Sequence, residues 1–105
     1  MTLKELLEKD FGNELNISGG TGNSIDNTII IHRNRINDYV RTEYYILKCI
    51  AIGRRIEWKT IGQELLFYND KKIDKIKIET TNFSNNEITK QIESFYFDIT
   101  ECYGK

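Results

Sequence analysis

The sequence predicts an α+β domain: a short N-terminal helix, then a β-α-β-β-β order, with an antiparallel sheet curled around the central helix. Three observations carry this expectation. The stretch Ile36 to Gly53 has a helical period, the segments after it alternate apolar with polar residues, and compact turn sequences separate those segments. Successive residues about 100° apart gather Ile36, Tyr39, Val40, Tyr44, Ile46, Leu47, Ile50 and Ala51 on one face of that helix. Asn37, Asp38, Arg41, Thr42 and Lys48 fall opposite. Asn34 or Asn37 can cap its start, and Gly53 suits the left-handed residue that closes a last turn.

Taken in order, Thr2 and Glu5 form a capping box ahead of Leu3, Leu6 and Leu7, which predicts the first helix from Leu3 to Asp10, stopped by Gly12. The glycine-rich segment Ser18 to Ser24 reads as a surface connection. A phosphate loop would need a Gly-Lys-Ser/Thr ending or a preceding strand and following helix, and neither is present. Thr28 to His32 is β-branched and continuous, as in a strand with both faces covered. Ile56 to Lys59 alternates cleanly, Ile61 breaks the phase and predicts a bulge, and Gln63 to Tyr68 resumes the strand. Asn69 to Lys72 has turn chemistry and joins it to Ile73 to Thr80, where Ile76 and Ile78 face the core. Asp74 shares their parity, but its place beside the turn predicts exposure. Asn82 to Asn86 is a second turn, and Glu87 to Thr100 is the last strand, with Phe95, Phe97 and Ile99 on its core face.

A chain of 105 residues, 39% hydrophobic and 30% charged, supports one domain with a single core. A formal net charge of −1 supplies no general attraction to nucleic acid or anionic membrane. Cys49 and Cys102 lack a C-x-x-C spacing and are expected as free thiols in a reducing cytoplasm. The opening MTLKELLEKD has no apolar signal region, and no run reaches membrane-spanning length. His32 is the only histidine, so no multi-histidine metal site can form, and neither metal nor cofactor is expected.

Glu43 is the anomaly, a carboxyl in the middle of the helix's apolar face. Three readings compete: it reaches the rim and water; it is a buried structural partner for a tyrosine, Trp58, His32 or an arginine; or it is a functional acid in a pocket between helix and sheet. The first functional expectation is a small non-enzymatic binding or protein-interaction module, working through a protein partner or as a homodimer. Tyr45, Cys49 and Ile52 form a secondary helix stripe for such a contact, with Tyr96 and Ile92 on the outer face of the last strand. The alternative is a small enzyme or ligand binder that uses Glu43, with His32, Asp74 or a tyrosine as its catalytic partner. A third reading, nucleic-acid binding, follows from the basic middle of the chain around Arg33, Arg35, Arg41, Arg54 and Arg55, but Asp38, Glu43 and Glu57 dilute it.

The opening Gly19-Gly20-Thr21-Gly22-Asn23-Ser24 and the ending Phe97-Asp98-Ile99-Thr100-Glu101-Cys102-Tyr103-Gly104-Lys105 resemble small uncharacterised bacterial α+β proteins. In layout the chain is also similar to cystatin-like folds, with one strand fewer. That resemblance is of architecture, because Gln63-Glu64-Leu65-Leu66-Phe67 does not match the inhibitory Q-x-V-x-G loop of cystatins.

Overall fold

The computed structural model describes residues 16–33, 39–84 and 86–103, together with Glu5 and Glu8. Five strands and one long helix follow in the order β1 (Ile17–Gly19), β2 (Ile29–Ile31), α1 (Tyr39–Arg54), β3 (Glu57–Tyr68), β4 (Lys71–Ser84) and β5 (Glu87–Asp98). The expected first helix lies outside the described residues except at Glu5 and Glu8, both of which are helical.

The sheet order is β1-β2-β5-β4-β3, and it is mixed rather than antiparallel. Strands β3, β4 and β5 form an antiparallel meander, and β1 pairs antiparallel with β2, but β2 runs parallel to β5 with Ile29 opposite Phe97. The cause is the helix. Sixteen residues of α1 carry the chain back along the sheet, so β3 starts in the direction of β2, and two tight hairpins leave β5 pointing that way again. A second correction concerns β1, which makes the order β-β-α-β-β-β. Two of its three residues, Ser18 and Gly19, fall at the start of the segment expected to be an irregular connection.

Helix α1 ends one residue beyond Gly53, and it is Arg55 that takes the left-handed conformation, at φ 56°. The Arg55 N–H bonds to Ile52 O and the Ile56 N–H to Ala51 O, which satisfies two of the last carbonyls. The bulge expected at Ile61 is present between Thr60 and Gly62. At the β3–β4 hairpin Asn69 and Asp70 both have positive φ, the two-residue turn that matches strand twist. The second hairpin is tighter than expected, because β4 continues through Asn82, Phe83 and Ser84 and pairs with β5 to the tip.

Helix α1 packs on one face of the sheet. Ile46, Leu47 and Cys49 meet Ile76 and Ile78 of β4, Phe95 and Phe97 of β5, and Ile17, Ile29 and Ile31 of β1 and β2. Ile99 and Cys102, just past β5, close the same core. Cys49 and Cys102 are free thiols. No helix of the described residues is long and apolar enough to cross a membrane.

Candidate functional site

Three constellations carry chemistry. The first is under the helix. Glu43 faces the sheet from the first turns of α1 and is 0% exposed; among the described residues neither carboxyl oxygen has a partner at good hydrogen-bond geometry, although the Asp74 carboxyl is close enough to act on it. Its neighbour is Asp74 of β4, also buried, which corrects the expectation that Asp74 is exposed beside its turn. The turn is tight, so β4 enters the sheet at once, and the even-numbered residues Asp74, Ile76 and Ile78 all face the helix. Asp74 is held by Gln63, whose Nε2 donates to Oδ2 at 2.8 Å, while Gln63 Oε1 accepts from the Tyr44 hydroxyl at 3.2 Å. Tyr44 in turn stacks on Trp58.

Burial, and then the Asp74 carboxyl beside it, push the Glu43 pKa up from the ordinary 4.5 to about 10. Glu43 is therefore a neutral acid at physiological pH. Burial and the same two acids raise the Tyr39 hydroxyl as well. Of the three sequence readings, the buried one matches this geometry, but the group beside Glu43 is Asp74 rather than Trp58, His32 or an arginine. A dry, neutral carboxyl can donate one proton to a ligand or to Asp74, but the described surface clefts, one at Ile25, Tyr68 and Ile73 and one at Trp58, Glu79 and Lys90, do not include it.

The second constellation lies at the outer corner of the sheet. His32, just past β2, has its Nε2 2.6 Å from the Ser18 hydroxyl and its Nδ1 2.6 Å from Glu101 Oε2. His32 is therefore not a partner of Glu43 or Asp74. Asn16 fixes the backbone on which His32 sits: its O accepts from the His32 N–H at 2.9 Å, and its Nδ2 donates to the carbonyls of His32 and Arg33. Ser18 and Glu101 were not singled out in the sequence, since they stand 14 and 69 residues from the histidine. Only the even spacing of Asn16 and Ser18 about an edge strand could have pointed to Ser18.

The third constellation is on the sheet face away from the helix. Phe83 pairs directly with Ile88 across β4 and β5, and Ile92 stands further along the same face, beyond Lys90. These side chains are 57%, 65% and 60% exposed. The proposed interaction residues are dispersed. Cys49 is buried in the core, Tyr45 packs partly against it, Ile52 is exposed on the helix, and Tyr96 lies half-buried on the outer sheet face under the Lys75 ammonium. Tyr96 thus shares a face with Phe83, Ile88 and Ile92, whereas Tyr45, Cys49 and Ile52 do not form one exposed stripe.

The glycine segment is built to turn rather than to hold an anion. The N–H groups of Gly20 and Gly22 donate to Thr28 O and Asn27 O, and Gly22, at φ 80°, has Ile29 Cδ1 where a Cβ would come within 2.9 Å. Among the described residues no group of three His, Cys, Asp or Glu side chains could hold a metal ion. Compared with known proteins, the chain matches no family model, no curated protein and no solved structure.

Proposed function

We propose that the chain is a protein-binding module that receives its partner on the outer face of the β4–β5 hairpin. The observation that carries this reading is the uncovered trio Phe83, Ile88 and Ile92. A large aromatic and two isoleucines on regular strands, held in register by the ladder, form a rigid apolar surface that loses little entropy on docking.

The flanking charges specify the partner. Lys59, Lys71, Lys75, Lys77 and Lys90 share this face with Glu57, Glu64, Glu79 and the buried Asp98, so its exposed charges lean basic although the chain does not. Glu79 is already engaged by Lys59 and Lys90. A second copy docked face to face would double the lysine excess within one interface, which disfavours a homodimer here. Nucleic acid calls for a platform of several stacking aromatics, whereas the exposed patch offers one, Phe83, beside two isoleucines. The fitting partner is a protein with an acidic rim around an apolar socket.

The test is capture from lysate of the source organism by the tagged chain, with the captured protein identified and its affinity then measured with purified material. Wild type and Ile52→Asp are expected to bind it equally. Ile88→Asp should weaken binding about tenfold or more, since it places a charge in the apolar centre. Equal binding by Ile88→Asp, loss of capture on nuclease treatment, or a basic partner would overturn the reading.

A further inference from the structure

We propose that Ser18, His32 and Glu101 form a hydrolytic centre for small activated esters, at the opposite end of the sheet from the Phe83–Ile88 surface. The three residues come from β1, the end of β2 and the turn after β5, yet they stand in one line with two contacts of 2.6 Å. The order of proton donation in that line follows from chemistry. A carboxylate can only accept, so Nδ1 carries the ring proton toward Glu101, and Nε2 is left to accept from the Ser18 hydroxyl. That is the relation of nucleophile, base and orienting acid required for acyl transfer.

The edge of the sheet supplies a further element. The bonds Gly20 N–H to Thr28 O and His32 N–H to Asn16 O mark the bonded pairs of the β1–β2 ladder, so Ser18 bonds to Ile30 and the next N–H, that of Gly19, faces outward. No described strand lies beyond β1. An ester oxygen beside Ser18 Oγ therefore meets a main-chain donor on the outer edge of β1.

The reaction balances without a co-reactant other than water. Ser18 Oγ bonds to the acyl carbon as its proton passes to His32 Nε2, and the carbonyl oxygen takes the negative charge. The acyl–oxygen bond then breaks, and the leaving alkoxide takes the proton from Nε2. Water, deprotonated by the same nitrogen, attacks the acyl-serine and releases a carboxylic acid and free Ser18. Glu101 is a positioning residue, since it acts through His32. Ser18 is exposed and His32 half-buried, so the centre admits small acyl groups with good leaving groups and selects little else.

The test uses the full chain and p-nitrophenyl acetate. Expected are turnover faster than free imidazole at equal concentration and a single acetyl mass on the peptide containing Ser18. Ser18→Ala and His32→Gln should each lower the rate about 100-fold or more. Glu101→Gln should lower kcat about tenfold at unchanged KM, with partial recovery in Glu101→Asp. Ser18→Cys keeps a nucleophile in place and should accumulate the thioester. Turnover no faster than imidazole, an acetyl group elsewhere than residue 18, or wild-type rates in Ser18→Ala would overturn the proposal.

Discussion

The two ends of the sheet are finished differently. Near the β3–β4 turn both faces are covered: α1 lies over Asp74 and Ile76, and on the other side Ile73 is 1% exposed in a cleft it shares with Ile25 and Tyr68. Toward the β4–β5 tip the coverage ends. There the helix-side residues Asn82, Thr89 and Gln91 are polar and exposed, and the opposite face shows Phe83, Ile88 and Ile92 to solvent. A hairpin that only completed the core would place its apolar residues toward the helix. This one places them away from it. Apolar residues at the covered end hold the fold, and those at the open end contribute surface.

Substitution at matched apolar positions is the broadest way to break that contrast. Phe97→Ala, at a fully buried site, is expected to cost about 3–5 kcal/mol in denaturant unfolding. Ile88→Ala should stay within about 0.5 kcal/mol of wild type. Equal costs would mean that the open hairpin is part of the core.

The buried acid sharpens the comparison through pH. Because the folded-state pKa of Glu43 lies above the unfolded one, its stabilising contribution is complete below about 4.5 and is lost as pH rises toward about 10. Wild type should therefore lose stability on the order of 4 kcal/mol between about pH 5 and about pH 8. Glu43→Gln, neutral throughout, should lack most of that slope and be the more stable protein at the higher pH, as read from unfolding midpoints. Parallel pH profiles for the two would place Glu43 in water.

A smaller effect is expected where the covered region gives way to the open one. Arg54, at the end of α1, holds Glu93 of β5 through two hydrogen bonds of 2.9 and 2.7 Å. The guanidinium keeps the Glu93 carboxyl below its usual range, so the pair's contribution is present above about 4.5 and fades as pH falls through the lower folded value. Both groups are partly exposed, and Arg54→Ala should cost only about 0.5–1 kcal/mol near neutrality. The smallest effect on stability belongs to Lys77→Glu on the outer face, within about 0.5 kcal/mol, although it should weaken capture of an acidic partner.

Much of the covered end was legible in the sequence. The helical period located α1 because Ile46, Leu47 and Ala51 serve one continuous core, and the phase break at Ile61 announced its bulge. Strand β1 was not legible, because a three-residue segment containing Ser18 and Gly19 has no period to detect, and its pairing with β2 is set by the sheet. The parallel pairing of β2 with β5 depends on where α1 returns the chain, which local pattern does not encode. Glu43 stood out as misplaced on its helix. Asp74 did not, since proximity to a turn suggested water and only the packed helix removes it. The line through Ser18, His32 and Glu101 joins distant parts of the chain and has no local signal at all.

The binding face itself is tested most directly by a photo-reactive benzoylphenylalanine placed at residue 88, and for comparison at residue 52, also more than half exposed, in the source organism's cells. A discrete adduct with one acidic protein is expected from position 88 and none from position 52. No adduct at 88, or the same adducts at both positions, would contradict it.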